Sequence, residues 1–346
     1  MNDSSRVMQV CRLDLWISPV FDDLVRSEAN LALQVLAHQG EDPRTLAALS
    51  RAHAYHVSAA KDELPRAWFV NQALIAQCPD LLCVSSGGAG FDTVDVEACT
   101  RAGIAVVNQA GANAFSVAEH TFGLLLAVVK RIVESDTKLR RERGFSREDL
   151  MGEEIHGNTL GLIGLGEIGQ RTARIAQGFG LEVLAYDPYL SAEQIHARGA
   201  QPVTLEALLG RSDYVSLHCP LNATTQHLMG AEQFAAMKPG AVFVSTARGG
   251  IHDEAALFQA LNSGHLGGAG LDVWACEPPA QDAPLMTLPN VVATFHTAGV
   301  THGGRRNVAR SSAQQIALML RGERPAHLLN PQVWERFCER LREARG

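Results

Sequence analysis

Gly161-Leu-Ile-Gly164-Leu-Gly166-Glu-Ile-Gly169-Gln170 is the stretch on which the fold turns. The apolar run Thr159-Leu-Gly-Leu-Ile163 enters it and reads as a buried strand. A GxGxxG turn follows, then an amphipathic segment, then a second apolar run, Leu181-Glu-Val-Leu-Ala-Tyr186, which ends at Asp187, 18 residues beyond Gly169. This is the pattern of a β-α-β unit that holds a dinucleotide. Gly164 permits the tight turn, Gly166 leaves room for a pyrophosphate, and Gly169 lets helix and strand approach closely. A helix opening near Glu167 and Ile168 points unpaired N–H groups and its positive dipole end at the phosphates. Asp187 is placed to accept from both adenosine ribose hydroxyls and to repel a 2′-phosphate. No Arg or Lys stands at 188–192 to neutralise that phosphate. The expectation is therefore NAD(H), with NADP(H) and FAD disfavoured.

Working outward, 346 residues call for two domains, and 46% hydrophobic residues suffice for large cores. A net charge of −7 argues against nucleic acid or an anionic membrane as partner, but leaves room for a small anionic substrate held by one arginine. The longest apolar stretch, Phe122-Gly-Leu-Leu-Leu-Ala-Val-Val129, is too short to span a bilayer, and no basic-plus-apolar leader is expected. The seven cysteines are odd in number and lack metal-ligand spacing, as do His218, His227 and His252, so no metal is expected. A reducing cytoplasm is the natural setting.

The order of signals is that of an α/β chain. Strands are expected at 52–57, 81–85 and 104–107, a helix over 68–75, and no firm boundary within the first fifty residues. One long helix is expected from Ser116, with Ser116 and Glu119 at capping-box spacing, to about Leu139. The charged stretch 140–157 reads as a connector or arm. Beyond the nucleotide unit, strands at 213–218, 241–246, 270–273 and 291–295 alternate with helices near 230–238, 253–262 and 302–320. Such alternation means a mostly parallel, doubly wound sheet, with ligands beyond the carboxyl ends of its strands.

Three polar residues follow apolar runs there. Arg248, in Ser245-Thr-Ala-Arg-Gly-Gly250, offers a guanidinium fork for a planar carboxylate. His296 follows Val291-Val-Ala-Thr-Phe295, and its imidazole suits moving a hydroxyl proton while NAD takes a hydride. Glu277, after Leu271-Asp-Val-Trp-Ala-Cys276, could hold that ring in one tautomer.

From about Leu81 to Pro331 the chain resembles the D-isomer-specific 2-hydroxyacid dehydrogenases. The resemblance rests on Gly87-Gly-Ala-Gly-Phe-Asp92, Ser116-Val-Ala-Glu119, Gly164-Leu-Gly-Glu-Ile-Gly169, Met237-Lys-Pro-Gly240, Thr246-Ala-Arg-Gly249, Gly270-Leu-Asp-Val273 with Glu277-Pro278, and His296-Thr-Ala-Gly299, in that order. It implies a Rossmann-type cofactor domain, 119–299, and a smaller flavodoxin-like substrate domain, 1–118 with 300–346. It further implies that Arg248 binds the substrate carboxylate, His296 is the general acid–base and Glu277 its partner. Asp272 and Thr246 would lie at the nicotinamide end, and backbone N–H groups around Gly87 and Gly88 would meet the carboxylate. A homodimer embraced by the 140–157 arm is implied too, as is closure of the two domains on the site.

Departures narrow the substrate. Phe295 replaces the usual proline before His296, a proline that shapes the backbone but does no proton chemistry, and Ser245 replaces a common Asn, another modest change. Glu277 argues against a formate dehydrogenase, where Gln is the pattern. Phosphoglycerate dehydrogenases commonly carry an arginine after the second strand, where this chain has His56-Val-Ser-Ala-Ala-Lys61, and another where it has Phe115. Lys61 or Arg66 could compensate. Only 15 residues follow Pro331, so no appended regulatory domain is expected. The expected substrate is a small 2-keto acid of glyoxylate or hydroxypyruvate type. The alternatives are D-3-phosphoglycerate dehydrogenase activity and, in another class, a non-catalytic NAD-sensing repressor or scaffold.

Overall fold

The computed structural model describes residues 6–40 and 42–346. It divides into two compact units, one holding the chain up to Asn113 together with His302–Gly346, the other Ala114–Thr301.

In the first unit five strands, β1 (Met8–Leu13), β2 (Leu31–Leu36), β3 (Ala54–Val57), β4 (Cys83–Ser86) and β5 (Ala105–Val107), pair in the order β2-β1-β3-β4-β5, all parallel. That is the flavodoxin-like order, with its switch point between β1 and β3. On one face α2 (Pro43–Leu49), α3 (Gln72–Gln77) and α4 (Val96–Ala102) bury Leu49, Leu74 and Cys99. On the other, α1 (Val20–Ser27), α12 (His302–Arg321) and α13 (Trp334–Arg345) bury Phe21, Ile316 and Phe337. The first fifty residues thus hold two strands beside their helices. The helix expected over 68–75 is corrected: a 3-10 turn, Arg66–Trp68, is followed by extended Phe69 and Val70. Asn71 then opens α3 by accepting from the N–H groups of Ala73 and Leu74 at 3.0 Å each.

The second unit begins with α5 (Ala114–Val129) and α6 (Ile132–Arg141). The single helix expected from Ser116 to about Leu139 is therefore corrected. Ser116 lies inside α5, its hydroxyl 2.8 Å from that of Thr301, and the helix breaks at Arg131, which takes left-handed backbone at φ 51°. Two interactions meet the break: Arg131 closes on Glu134 through two 2.8 Å bonds, and the Val129 carbonyl accepts from Glu153 N at 3.0 Å.

Seven parallel strands follow: β6 (Thr159–Ile163), β7 (Glu182–Tyr186), β8 (Gln201–Pro202), β9 (Tyr214–Leu217), β10 (Val242–Ser245), β11 (Gly268–Leu271) and β12 (Val291–Ala293). Their order is β12-β11-β10-β9-β6-β7-β8. This is the Rossmann order extended by one strand, and its switch point lies between β6 and β9. α5, α7 (Glu167–Gly178) and α8 (Ala192–Ala197) cover one face, and α9 (Leu205–Arg211), α10 (Ala231–Ala236) and α11 (Glu254–Asn262) the other. Burial on both faces is why these strands read as unbroken apolar runs. No helix among the described residues is long and apolar enough to cross a membrane.

Candidate active site

The glycine turn sits at the β6 end of the switch point, and its three glycines have separate reasons to lack a side chain. Gly164 has φ 92°, and a Cβ there would stand 2.8 Å from the Cys219 N. A Cβ on Gly169 would collide with the Gly164 carbonyl oxygen. One on Gly166 would meet nothing within 4 Å. The protein itself therefore needs Gly164 and Gly169, whereas Gly166 leaves an open cradle. Gly166 is also the N-cap of α7 and supplies no side-chain acceptor, so the N–H groups of the first turn, Glu167 and Ile168 among them, face that cradle.

Asp187 closes the turn from the next strand. Its carboxylate accepts from Leu165 N at 2.9 Å and from Tyr189 N at 3.0 Å, keeping lone pairs for a diol. Arg198, beyond the 188–192 stretch that lacks a cation, donates to the Leu165 carbonyl at 2.5 Å. Its distance along the chain from Asp187 hid it. His218, after β9, is partly buried, and that burial lowers its pKa to about 3, so it is a neutral ring beside Gly164.

At the other strand ends, Arg248, Glu277 and His296 come from the segments after β10, β11 and β12. Gly249 packs against the Trp274 carbonyl so closely that any Cβ would overlap it, which brings the loop after β10 against the loop after β11. Glu277 accepts from Trp274 N at 3.1 Å through one oxygen and faces His296 Nδ1 at 2.9 Å through the other. Burial pushes the Glu277 carboxyl up. The bond and charge of His296, the Trp274 N–H and the Arg248 guanidinium outweigh it, and the net shift is downward. An ionised Glu277 fixes the proton on Nδ1, leaving Nε2 as the nitrogen that exchanges one.

His296 itself has φ 46°, a left-handed conformation that costs on the order of 1–3 kcal/mol and persists only where neighbours enforce it. Asp272, completely buried, does so. Its carbonyl accepts from His296 N at 2.7 Å, and its carboxylate from Thr297 N at 2.8 Å and Ala298 N at 2.9 Å. Sequence reading placed Asp272 near the nicotinamide; the structure gives its carboxylate three partners in the protein, the third being the Thr294 hydroxyl at 2.6 Å. Thr246, just past β10, bonds the Thr121 hydroxyl at 3.0 Å.

In the first unit, Gly87 N already donates to the Val57 carbonyl at 2.7 Å, so the Gly88 N–H is the donor left of the expected pair. Beside Gly87, at the β1–β3 switch point, a cavity of about 40 Å³ is lined by Arg12, Trp16, His56, Ser58 and Arg305 among others. Arg12 is held by Asp22 through bonds of 2.8 and 2.9 Å, whereas Arg305 lies 5.9 Å from the Trp16 ring centroid. Burial keeps His56 neutral, with a pKa of about 4. Lys61 and Arg66 are exposed and do not line it. A larger cavity, about 320 Å³, opens at the N-terminal ends of strands in the second unit, away from every predicted site residue. No group of three or more metal-ligating side chains gathers among the described residues.

A sequence profile of the NAD-binding domain of D-isomer-specific 2-hydroxyacid dehydrogenases matches residues 122–298. The chain belongs to that family. A D-3-phosphoglycerate dehydrogenase of Methanocaldococcus jannaschii is 40% identical over 75% of this chain and 50% of its own length. A glyoxylate reductase of Korarchaeum cryptofilum is 38% identical over 76% of this chain and 80% of its own. The crystal structure of the TT0316 protein of Thermus thermophilus superposes with a TM-score of 0.80 at 31% identity, covering 93% of this chain and all of that one. The chain spans about half the length of the phosphoglycerate dehydrogenases it matches. The matched family segment contains the glycine turn, Asp187, Arg248, Asp272, Glu277 and His296 together.

Proposed function

We propose that this protein is an NAD-dependent D-2-hydroxyacid dehydrogenase acting on a small 2-keto acid. The observation that carries the reading is the His296–Glu277 pair at 2.9 Å with the Arg248 charge beside it. The Gly166 cradle and the α7 N-terminus fit the pyrophosphate, and Asp187 fits the ribose. Bound there, NADH supplies the hydride that reaches C2. Arg248 grips the carboxylate and polarises the reacting carbonyl. Protonated His296 delivers the alcohol proton from Nε2, and in the oxidative direction the neutral ring removes it. Glu277 holds the ring and balances its charge. Thr246 and Asp272 shape the nicotinamide end, and Gly88 N–H adds a donor for the carboxylate.

The cavity beside Gly87 is small, about 40 Å³. That suits hydrogen or a hydroxymethyl group better than a phosphooxymethyl group, and favours glyoxylate or hydroxypyruvate. Arg305 is the specific observation for the second reading, 3-phosphohydroxypyruvate, because no carboxylate pairs with it among the described residues. For assembly we propose a homodimer through α6 and the 140–157 arm, where Ile132, Val133, Leu139 and Met151 are exposed, testable by light scattering.

The deciding experiment follows NADH oxidation at 340 nm with glyoxylate, hydroxypyruvate, pyruvate, longer 2-keto acids and phosphohydroxypyruvate, with NADPH as a comparison. Rapid turnover of an unphosphorylated acid is expected. Preference for phosphohydroxypyruvate would select the Arg305 reading. NADH binding without turnover of any of them would favour a non-catalytic NAD sensor.

A further inference from the structure

Asp272, which holds the left-handed backbone of His296, is itself met from behind by Thr294. Thr294 is pinned on both sides of its peptide: its N–H donates to the Leu271 carbonyl at 2.8 Å and its carbonyl accepts from Trp274 Nε1 at 3.0 Å. Its single hydroxyl proton goes to Asp272 Oδ1, at 2.6 Å. The oxygen of Thr294 is left only with lone pairs, so the ring nitrogen 3.0 Å from it, His120 Nε2, must be the donor. His120 projects from the middle of α5, is partly exposed, and lies 3.6 Å from the same Asp272 oxygen. The result is a directed chain, His120 N–H to Thr294 hydroxyl to Asp272 carboxylate, ending on the group that takes the N–H of Thr297 and Ala298.

We infer that His120 and Thr294 are positioning residues for the catalytic loop, acting through Asp272 to hold His296 where its Nε2 meets the substrate. The inference rests on the proposed role of His296. Nothing in the chain requires His120 to change its protonation, because Nε2–H is present both in the neutral tautomer that the contact selects and in the imidazolium. Its task is to donate one hydrogen bond from a fixed helix. An amide N–H at that place should therefore serve, and a ring of the same shape without the donor should not.

The test compares His120→Phe, His120→Gln, Thr294→Val, Thr294→Ser and the double variant His120→Phe/Thr294→Val, with His296→Ala as the control. Each is assayed for kcat and KM in keto-acid reduction, NADH affinity by fluorescence, and melting temperature. His120→Phe and Thr294→Val should each lower kcat by roughly tenfold, the scale on which sub-ångström misplacement of a reacting group acts. NADH affinity should stay within about twofold, a bound set for groups with no expected cofactor contact. His120→Gln and Thr294→Ser should recover most of the rate. The double variant should be no slower than Thr294→Val alone, because both substitutions cut the same chain.

Multiplicative losses in the double variant, or failure of the conservative variants to rescue, would overturn the inference. So would a His120→Phe enzyme with wild-type kcat, or one whose only change is a lower melting temperature. Near-normal turnover of His296→Ala would instead remove the catalytic role on which the inference stands, which separates the two failures.

Discussion

Replacing Gly166 and Gly169 by alanine, one at a time, separates what the fold requires from what the ligand requires. Gly166 has φ −74° and ψ −150°, an extended backbone outside the positive-φ region that favours glycine, and an added methyl meets no protein atom within 4 Å. Gly166→Ala should fold with a melting temperature within about 1 °C of wild type, as expected of a substitution that touches nothing. If the pyrophosphate lies in the cradle, the methyl occupies its place, and NADH affinity should fall at least about tenfold, or about 1.4 kcal/mol. Gly169→Ala differs because its methyl would strike the Gly164 carbonyl, a backbone atom that cannot swing aside. Overpacking of this kind costs about 1–3 kcal/mol, and the rigid neighbour favours the upper end. At about 2–4 °C per kcal/mol for a domain of this size, that is a loss of roughly 6–12 °C, with NADH binding falling alongside. Differential scanning fluorimetry of the ligand-free proteins and NADH fluorescence titration measure both quantities. The reasoning fails if Gly166→Ala melts as low as Gly169→Ala, or if it binds NADH with wild-type affinity.

Arg248→Ala should raise KM for the keto acid and lower kcat together, with NADH affinity preserved; steady-state kinetics at saturating NADH would decide it. Glu277→Gln keeps the shape but removes the charge facing His296, and should lower kcat by about tenfold or more with little change in KM, as expected for a group acting in the transition state. Asp187→Asn should weaken NADH binding and narrow the NADH-over-NADPH preference, read from kcat/KM for each; an unchanged ratio would remove Asp187 from the adenosine site. Burial lowers the His252 pKa to about 4, against an unfolded value near 6.5, and neither ring nitrogen has a hydrogen-bond partner. Its contribution to stability is therefore complete above about pH 6.5 and is lost as pH falls toward 4, by about 2 kcal/mol between pH 7 and 5. His252→Phe should accordingly show a smaller drop in urea midpoint over that interval than wild type.

The parts of the fold that were legible are those where one local cause decides the structure. β6 and β7 are short apolar runs bounded by glycine and an acid, buried on both faces, and they fall where the sequence reading puts them to within a residue. β1 was hidden because Met8-Gln-Val-Cys-Arg-Leu13 interrupts its apolar run with Gln9 and Arg12, and Arg12 is tolerable because Asp22, on α1, and the Leu13 and Leu15 carbonyls take its N–H groups. The break at Arg131 was hidden for a similar reason. Nothing in Val128-Val-Lys-Arg-Ile132 stops a helix, and the groups that meet the break, Glu134 and Glu153, reveal themselves only in three dimensions.

The candidate site divides along the same line. Arg248, Glu277 and His296 were legible because polar residues in the segments that follow apolar strands have a limited set of uses in a parallel sheet. Thr294 and His120 were not, since their contact spans 174 positions, and each alone looks like an ordinary strand-end threonine and an ordinary helix histidine. Gly249 carries the same lesson, its need for a missing Cβ being set by the Trp274 carbonyl on another loop. The backbone of His296 sharpens the point. A left-handed imidazole residue is unfavourable by itself, and three N–H groups donating to one buried aspartate, one to its carbonyl and two to its carboxylate, make it the stable arrangement. The proposed acid–base group therefore depends on Asp272 for its place before it depends on Glu277 for its tautomer. Asp272→Asn, which exchanges one accepting oxygen for a donor facing donors, should damage turnover more than Glu277→Gln does.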